Sequence, residues 1–262
     1  MTRAPDVELR RLTWAGIEFR AGEHRVLVDP IENTDQLVHF QGRPRRPVRP
    51  VDREPSSSTY SVITHLHRDH YDAELLAELA TAPANGVGCH APIADVLASE
   101  GVPADSHRMN EVQHFGPFTV IPVPSLDWRG DDQVAWVVEA AGRKVFHCGD
   151  TIWHGSWWRI AHEHGPFDVA FFPINGVHAQ LDGFTPTNVP PTLTPEQAVE
   201  AAAVLGVSVA VPMHYDLFHN PPKYTEQPNV RERFVSAARS RGVRADAPPE
   251  HGVVAFPGTN HR

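Results

Sequence analysis

Apolar residues along this chain fall mostly into short runs with the two-residue period or the continuous character of strands. Longer stretches of helical period interrupt them. Val7 to Leu12, Gly16 to Arg20 and Arg25 to Asp29 read as three strands, with Ala21-Gly22-Glu23 as turn material between the second and third. The third run, Val26-Leu27-Val28-Asp29-Pro30, ends on a carboxylate. About 28 residues of little periodicity follow, Asn33 to Tyr60, rich in Pro and Arg and closing on Ser56-Ser57-Ser58. A loop of that length is an active-site wall or lid, or else a disordered surface segment. Ser61 to Thr64 reads as a buried strand that runs straight into a histidine cluster.

The pattern then alternates. Asp72 can cap a helix from about Ala73 to Ala80, with Leu75, Leu76 and Leu79 on one face. A second strand-helix unit spans Val87 to Ala98. Strands follow at Phe118 to Pro124, Val134 to Ala140, Lys144 to Cys148 and Asp168 to Pro173. Thr194 as N-cap and Pro195 at the first helical position open a helix to about Leu205. Val207 to Pro212 is a strand delivering Met213-His214. A helix from Val230 to Arg241 and a strand from Gly252 to Phe256 close the order. Strands, helix, strands, helix, repeated roughly twice, suits two sheets packed together with helices outside.

Composition narrows the functional classes. The 262 residues can bury one large α/β core, and residues 1–262 are expected to form a single domain. The formal charge of −9 disfavours a phosphate backbone as partner, so no nucleic acid is expected. Only Lys144 and Lys223 are lysines; the remaining basic charge is Arg. Two cysteines, Cys89 and Cys148, do not make a disulfide scaffold. Met1-Thr2-Arg3-Ala4-Pro5-Asp6 lacks the apolar core of a signal peptide, and no run approaches the roughly 20 apolar residues of a membrane span. A cytoplasmic protein acting on a small molecule is the expectation, and a homo-oligomer is compatible with it.

Four segments place metal-binding side chains at strand ends. Thr64-His65-Leu66-His67-Arg68-Asp69-His70 carries three imidazoles and a carboxylate within six positions, a set that suits Zn, Fe or Mn better than Ca or Mg. Extended alternation puts His65, His67 and Asp69 on one side, and a turn after Asp69 can rotate His70 into a neighbouring pocket. The others are Asp127 in Pro124-Ser125-Leu126-Asp127-Trp128, Asp150 in Phe146-His147-Cys148-Gly149-Asp150-Thr151, and His214. Singly, each of these is as well explained by turn or core structure; together they form a metal-ligand constellation.

The spacing of His65-x-His67-x-Asp69-His70, Gly149-Asp150-Thr151 and Pro212-Met213-His214 resembles the metallo-β-lactamase superfamily, from about Leu12 to Phe256. The resemblance implies a four-layer αββα sandwich with metals at one edge of the sheets. It also implies that Asp29, in Val28-Asp29, braces the histidine loop without touching metal. Most of that superfamily has His where this chain has Asp127. In this respect, and in Phe146 to Thr151 and Pro212 to Phe218, the chain resembles the L-ascorbate 6-phosphate lactonase branch.

Mapped by resemblance, one metal takes His65, His67 and Asp127, the other takes Asp69, His70 and His214, and Asp150 bridges them. The cofactors are then two divalent ions, Mn or Zn, with Fe fitting the same donors; Asp in place of His moves preference from Zn toward Mn or Fe. The implied reaction is attack by a bridging hydroxide on a small cyclic ester or amide, with Asp69 and Asp150 catalytic. Candidate acids for the leaving group are Asp69, a metal-bound water, Tyr215 and His178. Asn175 and His178, on the rim after the strand ending at Pro173, are substrate contacts or loop structure. His154, with Trp153, Trp157 and Trp158, walls a substrate pocket or packs between layers; Tyr215 is a further substrate contact by position. Cys148 reads as buried packing. The competing readings are a phosphodiesterase of a small or lipid phosphodiester and a mono-iron redox enzyme on the same fold.

Overall fold

A computed structural model describes residues 6–53 and 58–258. The expectations for Met1 to Pro5, and for Ser56 and Ser57, lie outside the described residues. Strands β1 (Val7–Arg11), β2 (Ile17–Ala21), β3 (His24–Val28), β4 (Ser58–Val62), β5 (Gly86–His90) and β6 (Asp105–His107) form one sheet. Strands β7 (Gln113–Phe115), β8 (Phe118–Pro124), β9 (Val134–Ala140), β10 (Arg143–His147), β11 (Phe167–Pro173) and β13 (Val207–Met213) form the other. A two-stranded ribbon pairs β12 (His178–Ala179) with β14 (Tyr224–Thr225), and β15 (Val253–Val254) adds to β1 at the edge of the first sheet.

The sheets face one another across the main core, where Phe19, Phe118, Trp136, Phe146 and Phe171 are fully or almost fully buried. Trp136 has a polar edge to satisfy in that core, and its Nε1 donates to the Ile63 carbonyl at 2.9 Å, tying β9 to the chain just past β4. Helices α1 (Ala73–Leu79) and α2 (Ala94–Ser99) cover the outer face of the first sheet through Leu76, Leu97, Val87 and Cys89. Helices α3 (Trp157–His164), α4 (Pro195–Leu205) and α5 (Val230–Arg241) lie on the second. Two facing sheets with helices outside are what the pattern predicts, and the mixed α/β layering is the sandwich that the resemblance implies.

Local chemistry accounts for the helix ends. Asp72 caps α1 by accepting from Leu75 N, and Thr194 with Gln197 forms a reciprocal capping box on α4. Gly206 ends α4 in the left-handed region, at φ +66°. Several elements depart from the sequence reading. The three-residue strands β6 and β7, the ribbon β12–β14 and helix α3 were not anticipated. The stretch from Asn33 to Tyr60 is not structureless, since a 3-10 turn occupies Asp35–Leu37 and β4 begins at Ser58. No helix among the described residues is long and apolar enough to cross a membrane.

Strand direction gathers the chemistry. β8 and β10 each run antiparallel to β9, while β10, β11 and β13 are mutually parallel. The C-terminal ends of these four strands therefore share one edge of the second sheet. Asp127, Asp150 and His214 follow β8, β10 and β13 there, as Asp29 and the His65 loop follow the parallel pair β3 and β4.

Candidate metal centre

Asp29 and His214 both leave their strands in the left-handed region, at φ 47° and 60°, a conformation that turns the chain sharply but is costly for residues with a Cβ. Fully buried Asp29 is held by its contacts: Oδ1 accepts from Thr64 N at 2.7 Å, and Oδ2 accepts from Thr64 Oγ1 and His70 Nδ1, both at 2.7 Å. His65 Nδ1 lies 2.9 Å from Thr64 Oγ1, whose own proton goes to Asp29, so Nδ1 is the donor. Both imidazoles are thereby turned to present Nε2. At Gly149 a Cβ would come 3.3 Å from Thr64 at a φ of +69°, so glycine lets the Asp150 turn approach this loop.

The outcome is an unusual concentration of unmet valence. His65 Nε2, His70 Nε2, His214 Nδ1, Asp127 Oδ2 and Asp150 Oδ1 are buried without a hydrogen-bond partner. Buried polar atoms are normally paired, and each orphan costs desolvation energy. Candidate donor atoms of His65, His67 and Asp150 lie within 4.8 Å of one another, as do those of Asp69, His70 and His214. The two groups adjoin, with the His65 and His70 ring centroids 4.4 Å apart. Imidazole nitrogens and carboxylate oxygens left without partners, once deprotonated, fit first-row divalent ions.

Asp127 departs from the expected set. It joins a third group, with His67 and Asp131, rather than His65 and His67. Its Oδ1 accepts from the Arg129 and Asp131 amides at 2.6 and 3.3 Å, a local turn that leaves Oδ2 3.9 Å from His67 Nε2. Asp150 stands instead beside both histidines, with Oδ1 3.6 Å from His65 Nε2 and Oδ2 3.8 Å from His67 Nδ1. Asp is shorter than His, and the turn after β8 does not bring it to His65. Asp131, 3.1 Å from His67 Nε2, was absent from the sequence reading.

Electrostatics follow from burial and mutual charge. Burial pushes His65 down to about 3, against the pull of Asp150, so its ring is neutral. Burial also opposes charge on His70 and His67, but Asp29 lifts the first and Asp150 the second, each to about 9. Burial raises Asp150, yet His65, then His67 and His70, hold it well below the usual carboxylate range. Asp69 is likewise held low against burial, first by its hydrogen bond with His214. Its Oδ2 receives Trp14 Nε1 at 3.1 Å and Gln41 Nε2 at 2.7 Å, and His214 Nε2 lies 3.2 Å away.

A cavity of about 310 Å³ opens over Asp69, Asp150, His67 and His214. Its walls include Leu37, Phe40 and Gln41 from the long loop, as expected of a wall segment, and Val177, Leu181 and Tyr224 opposite. The four expected substrate contacts are not on this wall. Asn175 is fully buried behind it, donating to Tyr224 Oη at 2.7 Å and accepting from Thr192 Oγ1 at 2.5 Å. The Tyr215 hydroxyl is turned to Arg11 Nη1 at 3.0 Å. His154 stacks on Trp157 at 4.2 Å and accepts from Ser156 N, and its burial pushes it down to about 4. His178 pairs with Thr225 in the ribbon. Cys148 Sγ donates to the Phe171 carbonyl, and burial pushes its thiol well up. Tyr224, Gln41, Trp14 and Arg129 carry no motif signal, and only their position in space reveals them.

With this geometry in hand, comparison with known proteins is direct. A family model described as a beta-lactamase superfamily domain matches residues 24–215. A UPF0173 metal-dependent hydrolase of Enterococcus faecalis is 31% identical over 228 residues, covering 80% of this chain and 89% of that one. Its counterpart from Thermococcus kodakarensis is 24% identical over 225 residues, covering 82% and 86%. Among solved structures, a metallo hydrolase from the archaeon Ignicoccus hospitalis is similar in fold, with a TM-score of 0.67 at 19% identity over 97% of this chain and 99% of that chain.

Proposed function

The chain belongs to the metallo-β-lactamase superfamily of metal-dependent hydrolases, and from that premise we propose that it is a binuclear enzyme opening a small cyclic ester or amide, as a lactonase does. The observation that carries this reading is the pair of adjoining donor groups whose buried nitrogen and oxygen atoms lack partners. One group alone would suit the mono-iron redox alternative; two support hydrolysis. His65, His67 and Asp150 would hold one ion, with Asp127 reaching it only from beside His67, and Asp69, His70 and His214 would hold the other. Two bound divalent ions supply an activated water and polarise the scissile oxygen. The local resemblance to the L-ascorbate 6-phosphate lactonase branch at Asp127, Phe146 to Thr151 and Pro212 to Phe218 supports a lactone as the substrate.

The chain's own residues do the rest. Loop residues Leu37 and Phe40 and the facing Val177 and Leu181 exclude water from the cavity and seat an apolar body. Tyr224 Oη accepts from Asn175 and keeps its own proton, because burial, reinforced by Asp69, raises it well above the ordinary phenol range. A phenol held neutral in this way can donate a hydrogen bond to a developing oxyanion. Asp69, held ionised, can accept a hydrogen bond from the attacking side and orient it. Tyr215 and His178 leave the list of acids, since neither lines the cavity.

The test is a screen of lactones, phosphodiesters and β-lactams with protein reconstituted in Mn or Zn, alongside Asp150→Asn. Lactone turnover that needs two metals per chain and falls away in the variant is the expected result. Turnover of phosphodiesters alone, or full activity with one metal, overturns the reading.

A further inference from the structure

Two arginines reach the cavity, and their commitments differ. Arg68 is closed bidentately on Glu100 at 2.8 and 2.7 Å. Arg129 uses only Nη2, which pairs with Asp131 Oδ2 and lies 2.8 Å from His67 Nε2. Its Nε and Nη1 have no protein partner among the described residues. The guanidinium stands 5.9 Å from the Trp128 ring and 5.7 Å from the Phe184 ring, two aromatic faces that hold a cation without consuming its donors.

The Asp131 pair is a weak restraint. That carboxylate is 48% exposed, and pairs of this kind contribute little net energy. The contact with His67 is conditional as well. A guanidinium can only donate, whereas Asp131 Oδ2, 3.1 Å from the same Nε2, can only accept. One ring nitrogen cannot serve both. If His67 uses Nδ1, the nitrogen facing Asp150, as a ligand, Nε2 carries the proton and Asp131 keeps it. The Arg129 fork is then left at the mouth of a mostly apolar cavity.

We propose that Arg129 is the substrate-recognition residue of this site and binds an anionic group, a carboxylate or phosphate, carried next to the scissile bond of a small apolar substrate. The proposal rests on the hydrolase reading for its orientation to the scissile bond. It follows from the charge layout: of the two cavity arginines, Arg68 has its Nη1/Nη2 edge closed on Glu100, whereas the Nε/Nη1 edge of Arg129 is open among the described residues, and Arg129 borders the candidate ligand His67. A planar carboxylate or phosphate matches a guanidinium fork, and an apolar cavity strengthens such a contact.

The experiment uses three ring compounds that lack a scissile ring ester, a cyclopentane bearing a carboxylate, a phosphonate (standing in for phosphate) or a carboxamide. They are titrated calorimetrically into the metal-loaded full chain and into Arg129→Gln and Arg129→Lys. Lactones carrying the same three substituents are assayed for turnover, and metal content is measured throughout. The unaltered chain should bind one of the anions about 10- to 100-fold tighter than the carboxamide. Arg129→Gln should erase that ratio and Arg129→Lys should keep part of it, with metal content unchanged. Whichever anion shows the larger ratio identifies the group.

Equal affinities in the unaltered chain, or the ratio surviving in Arg129→Gln because the metals alone hold the anion, overturn the proposal. So does loss of metal in Arg129→Gln, which would assign the arginine to His67. An anion preference without turnover of any lactone would leave Arg129 standing and sink the lactonase reading. Lactone turnover without an anion preference would do the reverse.

Discussion

Asp29 Oδ2 accepts from His70 Nδ1 and Thr64 Oγ1, each at 2.7 Å, so one buried carboxylate orients two histidines, His70 directly and His65 through Thr64. Such outer partners fix the tautomer of a ligand imidazole and raise its basicity. Asp29→Asn tests this economically, because Asn tolerates the left-handed φ of 47° and the backbone need not move. The amide can no longer accept on both atoms. Metal affinity should fall about 10- to 100-fold by chelator competition, most at the His70 site. Unchanged affinity at both sites would show that the bracing is only structural.

Metal loading should release protons. His67 and His70 stand at about 9 in the metal-free chain, so both are protonated at pH 7, and a ligand nitrogen must be bare. The sign is fixed: apparent affinity rises as pH climbs from 7 toward about 9 and then levels. His65, at about 3, is already neutral and contributes nothing to this slope. Calorimetry in buffers of different ionisation enthalpy reads the proton count. Zero protons released at pH 7 contradicts the assignment of these two residues as ligands.

Asp127 and Asp131 compete for the place beside His67. Asp127 is buried with an orphaned Oδ2, while Asp131 is exposed and paired with Arg129. Asp127→Ala should therefore weaken the first site strongly and spare the second. Asp131→Ala should cost about tenfold, by loosening His67 alone. Titration with each metal-depleted variant separates them, and the opposite ranking would make Asp131 the ligand.

Tyr224→Phe removes one hydroxyl and keeps the ring that lines the cavity. If the phenol donates to developing negative charge, kcat should drop about 100-fold with KM little changed. His154→Ala, in a ring stack behind the wall, should lower thermal stability and leave the pH profile alone. Tyr224→Phe with undiminished kcat on every accepted ester removes the phenol from the chemistry.

What the sequence determined by itself was local. Helix α4 begins where Thr194 and Pro195 put it, helix α5 spans Val230–Arg241 as the sequence reads, and β9 lies where its apolar run does. The His65 to His70 cluster announces metal chemistry because so many ligand types rarely stand so close together. Strands β6, β7, β12 and β14 were not legible, since segments of two or three residues owe their conformation to a partner strand and not to a period of their own. The bracing of Asp69 by Trp14 and Gln41 was equally hidden. Trp14, Gln41, Asp69 and His214 lie far apart in the chain yet meet at one carboxylate oxygen. Which carboxylate stands beside His65 was decided by the turn after β8, where two backbone amides claim Asp127 Oδ1 and aim Oδ2 at His67. Ligand type is a property of single residues, but coordination depends on where the packing of two sheets brings their strand ends, and no local pattern in the chain encodes that distance.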